Sequence, residues 1–141
     1  MAVEFSCRNL TAQPLPQGCA ASWRRSLGRV VKITGQKFTE VNVVLVPAQA
    51  IRRLNHTYRH HDRVTDVLSF AYQSSPVVGD IVICLEQAQR QARRYRRSLL
   101  KELELLLIHG SLHLAGWDHQ QPGERSAMRA LEQRVQTPRA S

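Results

Sequence analysis

No stretch of this 141-residue chain approaches the ~20 consecutive apolar residues needed to span a bilayer, so a transmembrane helix is excluded. The start, Met1-Ala2-Val3-Glu4-Phe5, lacks a basic segment followed by an apolar one, which predicts a protein that stays in the cytoplasm with no membrane partner. Cysteine is scarce: Cys7, Cys19 and Cys84 are odd in number, far apart, and form no Cys-x-x-Cys pair. That argues against a disulfide framework and a thiolate zinc site, leaving ordinary small apolar residues or unpaired thiols. Acidic residues are also short, 11 against 20 Lys and Arg, giving a net charge of +9 and a field that attracts polyanions. Nucleic acid is the obvious polyanion. The positive residues gather at Arg24 to Lys32, Arg52 to Arg63 and Arg90 to Arg97. Any one run can be a solvated helix face; three together favour RNA, with binding that weakens steeply as salt rises. Charge alone leaves DNA and tRNA open.

What is present is a histidine string, His109-Gly110-Ser111-Leu112-His113-Leu114-Ala115-Gly116-Trp117-Asp118-His119. Residues four apart share a helix face, so His109 and His113 can aim at one ion. Gly116 can take the left-handed conformation that ends the helix, letting His119 return from the other side. Three neutral imidazoles with an open fourth position make a catalytic rather than a structural zinc site. That position can hold water, its pKa lowered from 15.7 towards about 7, or a phosphate oxygen. Metzincin peptidases share the histidine spacing but carry Glu directly after the first His as general base. Here that position is Gly110, which moves no proton, so peptide hydrolysis is disfavoured.

Periodicity predicts an α+β single domain over 1–141, a small mixed sheet of about four strands packed with about five helices. Strands are expected near Val3–Cys7, Glu40–Val46, Asp66–Tyr72 and Asp80–Leu85, the last two as an antiparallel pair. Helices are expected near Cys19–Thr34 (with Trp23, Leu27, Val30 and Val31 inward) and after Pro47 (Ile51, Leu54 and Tyr58 on one face). Others are expected over Glu86–Arg97, Leu99–Leu114, and from Pro122 with Met128, Leu131 and Val135 inward. The fourth is apolar on nearly all sides and reads as buried, which would hold its histidines rigidly. Asp118 or Glu102 could accept from the outer nitrogens of the ligands, or could serve only as a loop cap and a helix-start charge.

The histidine string matches the form His-Gly-x-Leu-His-Leu-x-Gly-x-Asp-His, the signature of the YbeY endoribonucleases, which this chain resembles. Leu54-Asn55-His56-Thr57-Tyr58-Arg59, Thr65-Asp66-Val67-Leu68-Ser69-Phe70 and Gly79-Asp80-Ile81 are similar to further elements of that family. The resemblance covers about residues 40 to 133. Val64 and Ala71 stand where family members often have Pro, a change expected to alter loop stiffness only. Nothing in the first forty residues matches.

The resemblance implies a single-strand-specific endoribonuclease with one zinc ion held by His109, His113 and His119. It implies a functional role in the cleft for Arg59, whose guanidinium can grip a phosphate with two parallel hydrogen bonds and stabilise developing charge. Thr65 and Asp66, close in sequence, are expected either to contact substrate or to fix the turn into the next strand. His60 and His61 can serve as general acid or base, or be exposed loop residues. The implied setting is maturation of the 3′ end of small-subunit ribosomal RNA and ribosome quality control. The implied partners are the ribosome and its small-subunit proteins, or an assembly GTPase. Two other readings stay open: a non-catalytic, zinc-containing RNA-binding assembly factor, and a metal-dependent hydrolase of another ester or amide. The residues do not decide whether the nucleophile is water or the substrate's 2′-hydroxyl.

Overall fold

A computed structural model describes residues 3–117 and 122–136. The elements run β1 (Glu4–Asn9), α1 (Cys19–Thr34), β2 (Phe38–Val46), α2 (Ala48–Arg59), β3 (Val67–Ser74), β4 (Val77–Cys84), α3 (Leu85–Arg94), α4 (Leu99–Leu114) and α5 (Pro122–Gln136). The strands form one mixed sheet in the order β1-β2-β4-β3, with β1 and β4 each parallel to β2 and with β3 antiparallel to β4. This is the α+β architecture that periodicity predicts. β2 and β4 are central and rich in Val and Ile, as strands covered on both sides must be.

One face of the sheet carries the main core. Trp23, Leu27 and Val30 of α1 and Leu103, Leu107 and Ile108 of α4 bury there against Val41, Val43, Ile81 and Ile83, and Met128 and Val135 of α5 close the cluster. The Trp23 indole donates to the Leu103 carbonyl at 3.0 Å, tying α1 to α4. The other face is thinner. Val46, Ile51, Leu68, Val82 and Cys84 form a small second cluster under α2. Cys19 and Cys84 are buried and Cys7 is exposed, all three as free thiols; burial pushes Cys19 up to about 12, which removes thiolate chemistry at neutral pH.

Two expectations need correction. Tyr58 does not point into the core: it is 62% exposed, its ring lying edge-on to Phe70 at 5.3 Å, because the thin face has no second layer for it to enter. The third helix ends at Arg94 rather than Arg97. Arg96 takes a left-handed φ of 54°, and the Arg96 and Arg97 N–H groups turn back to the Arg93 and Ala92 carbonyls.

α4 is anchored at both ends. At its start the Ser98 hydroxyl accepts from the Lys101 N–H at 3.0 Å. At its end Gly116 sits at φ 99°, its N–H bonded to the His113 carbonyl and the Trp117 N–H to the Leu112 carbonyl. This paired closure needs a left-handed residue, the role expected of Gly116.

Candidate metal and phosphate cleft

His109 and His113 occupy successive turns of α4 on one side of the helix, where it emerges from the core. Their Nε2 atoms are 3.1 Å apart. Two nitrogens bound at 2.0–2.1 Å to one tetrahedral ion stand about 3.3 Å apart, so the pair fits a shared metal without rearrangement. The Glu132 carboxylate of α5 lies 3.5 Å from His109 Nδ1, on the opposite edge of that ring. A carboxylate there favours a proton on Nδ1 and leaves Nε2 as the metal-facing lone pair. His119, the third expected ligand, and Asp118 lie outside the described residues. Among the described residues no group of three metal-ligating side chains assembles.

Gly110 has a structural reason for following His109. A Cβ there would stand 2.8 Å from Ile81 Cγ2 and 3.1 Å from Ser69 Oγ, so the helix lies against the sheet at this point with no room for a side chain. The Gly110 carbonyl accepts from the Ser69 hydroxyl at 2.9 Å, which fixes the approach. A metzincin-type glutamate is therefore sterically barred as well as absent.

The histidines form one wall of a cleft of about 280 Å³ whose other wall is the end of α2, the loop after it and the start of β3. Arg59, His61, Arg63, Thr65, Asp66 and Ser69 line it. Arg59 and Thr65, singled out in the sequence, thus share a cleft with His109 and His113. Asp66 lines it too, but its carboxylate is engaged: Oδ1 accepts from the Val67 N–H at 2.8 Å and Oδ2 from Gln91 at 3.2 Å. His60 adopts a left-handed φ of 61° at the end of α2, and the turn carries His61 into the cleft wall.

Three contributors carry no role assigned from the sequence. Arg63 belongs to a basic run with no mark of its own, yet it lines the cleft beside Arg59. Asn55, buried, donates to the Arg63 carbonyl at 3.0 Å and pins that loop. Glu132 sits on a separate helix, so no local spacing could point to it. Glu102, one of two residues the sequence offered as an outer partner of the histidines or else as a helix-start charge, lies 2.9 Å from Arg97.

The fold and this cleft define an α+β protein in which a histidine pair spaced to share a metal faces an arginine-rimmed pocket, a donor set suited to phosphate-ester hydrolysis. The family model for endoribonuclease YbeY matches residues 16–138, and the chain belongs to that family. The chain is 44% identical over 112 residues to an endoribonuclease YbeY of Heliobacterium modesticaldum, covering 69% of this chain and 68% of that one. An Anaeromyxobacter endoribonuclease YbeY is 37% identical over 132 residues, covering 91% and 69%. Of a longer Myxococcus xanthus relative, 40% identical over 121 residues, the match spans 40% of the length and 81% of this chain. A solution structure of a Thermotoga maritima protein superposes with a TM-score of 0.61 at 29% identity, covering 93% of this chain and 88% of that one. No helix among the described residues is long and apolar enough to cross a membrane.

Proposed function

We propose that this protein is a zinc-dependent endoribonuclease that cuts single-stranded RNA, acting in the cytoplasm on ribosomal RNA at the 3′ end of the small-subunit species. The same reading extends to ribosome quality control, with small-subunit ribosomal proteins or an assembly GTPase as partners. The observation that carries the enzymatic part is the meeting of His109 and His113 Nε2, 3.1 Å apart, with Arg59 and Arg63 across a cleft of about 280 Å³. His109, His113 and His119 would hold the ion, which when bound supplies Lewis-acid polarisation of a phosphate oxygen.

The remaining work falls to the chain's own groups. Arg59 grips two oxygens of the scissile phosphate in a fork and stays aligned as charge builds on them. Arg63 neutralises an adjacent phosphate. His61, in the cleft wall, exchanges a proton with the substrate. Thr65 offers a hydroxyl to the sugar-phosphate backbone, while Asp66, bonded to Val67 and Gln91, holds the wall in shape.

The test is cleavage of a labelled single-stranded RNA carrying a small-subunit 3′ end by zinc-loaded wild type and by His113→Ala purified in parallel. Wild type should cut and the variant should be slower by at least about 10³-fold, the scale of losing a catalytic metal. Equal cutting by both would overturn the site. Binding without cutting would favour an assembly factor. A 3′-hydroxyl product identifies water as nucleophile; a 2′,3′-cyclic phosphate identifies the substrate's 2′-hydroxyl.

A further inference from the structure

The end of α3 carries a cluster that the cleft does not use. Arg90, Arg93, Arg94, Tyr95 and Arg96 are all exposed, and Tyr95 keeps 55% of its surface in solvent. The guanidinium carbons of Arg94 and Arg97 stand 5.7 Å and 5.1 Å from the Tyr95 ring centroid, so two cations attend one exposed aromatic ring. Arg90, Arg93 and Arg96 have no ion-pair partner among the described residues.

Helix-dipole compensation explains basic residues in a last helical turn. It explains neither an exposed tyrosine nor the backbone beyond it. Arg96 occupies the left-handed position that closes the helix, where glycine is usual; a side chain there costs on the order of 1 kcal/mol. The turn lets Arg97 fold back on Glu102 at 2.9 Å and leaves its guanidinium over the ring.

The cluster also adjoins the cleft. Gln91 bonds to Asp66, a lining residue; Arg94, three positions on, ends α3 about one turn of 5.4 Å further along, and Tyr95 caps it.

We propose that Tyr95, with Arg94 and Arg97 beside its ring, is a stacking platform for a base of single-stranded RNA lying outside the cleft, with Arg93 and Arg94 on the flanking phosphates. This deepens the RNA reading of the cleft and rests on it for the identity of the ligand. Aromatic stacking between cations is the general device for sequence-tolerant single-strand binding, worth about 1–3 kcal/mol per base. A duplex hides its base faces and gains nothing from the ring.

Binding is measured on metal-free protein by fluorescence anisotropy with a labelled 16-nucleotide single-stranded RNA, so that it does not depend on cleavage. Tyr95→Leu should weaken binding about tenfold, Tyr95→Phe should stay near wild type, and a 16-base-pair duplex should show no difference among the three. Arg93→Gln with Arg94→Gln should lower the slope of log K against log salt by about 1.4, or about 0.7 for each phosphate no longer neutralised. Thermal melts confirm that each variant folds, as expected for exposed positions. Tyr95→Leu binding single strands as wild type does would overturn the platform, as would an equal loss with duplex. Cleavage by wild type is scored separately. Cutting with a Tyr95-independent affinity removes the platform and keeps the nuclease; Tyr95-dependent binding without cutting does the reverse.

Discussion

The two faces of the sheet are built to different specifications. Under α1, α4 and α5, 21 of the described residues form one buried cluster; under α2, five do. The paired histidines leave the thick side, at the end of a helix whose preceding turns are locked by Leu103, Leu106, Leu107 and Ile108. Arg59, His61 and Arg63 come from the thin side, where α2 buries only Ile51 and Asn55. The roles proposed above fit this division, since metal ligands must hold their separation to a fraction of an ångström and dense packing supplies that rigidity. Packing density is distributed accordingly.

This division can be broken most forcefully in the thick core. Leu107→Ala should cost about 2–5 kcal/mol of stability and weaken zinc binding with it, whereas Leu54→Ala on the thin side should cost about 1 kcal/mol. Urea melts paired with zinc titrations check both; equal costs would show the faces to be equivalent.

On the thin side, function and stability should separate. Arg59→Ala is expected to lower kcat/KM for RNA about 100-fold with the melting temperature unchanged, and Arg59→Lys to recover only part, since an ammonium lacks the two-pronged fork. Steady-state kinetics beside a thermal melt would sink the assignment if Arg59→Ala cut normally.

A smaller effect is expected at Glu132 of α5, 3.5 Å from His109 Nδ1. Glu132→Ala should lower zinc affinity about tenfold, with Glu132→Gln in between. Competition with a chelating dye reads this without any RNA.

The smallest effect concerns Glu102, buried on the thick side. Burial raises its carboxyl above the ordinary 4.5, the Arg97 charge pulls it back, and Asp66 adds to the rise. Because the folded value lies above the unfolded one, the unfolded chain ionises first as pH rises, and stability falls from about pH 4.5 up to the folded value. Glu102→Gln should abolish that decline, so metal-free variant and wild type should diverge in urea midpoint between pH 4 and pH 7. Parallel curves would show that Arg97 fully compensates.

Much of this is legible in the chain. Period-2 and period-3.6 patterns locate the four strands and five helices, because each element must bury one face. Gly116 marks the end of α4 since only a residue at ease with positive φ closes it. The i, i+4 spacing of His109 and His113 is a local property of a helix, and the structure brings their Nε2 atoms together. The end of α3 is not legible, because Arg96, a residue with no preference for left-handed backbone, makes the closing turn. Nor is the exposure of Tyr58, because apolar spacing on α2 says nothing about how deep the layer beneath it is.

The sequence by itself, then, determined the features that short-range geometry controls: element order, the histidine pair, and a charge of +9 that selects a polyanion. Only the tertiary structure decided which residues meet across the fold. It brought Arg59 and Arg63 to face the histidines, set Glu132 of α5 behind His109, and pressed Gly110 against Ile81 so that no base can stand there. Residues tens of positions apart come together through strand order and helix packing, which are properties of the whole core, and no spacing along the chain records them.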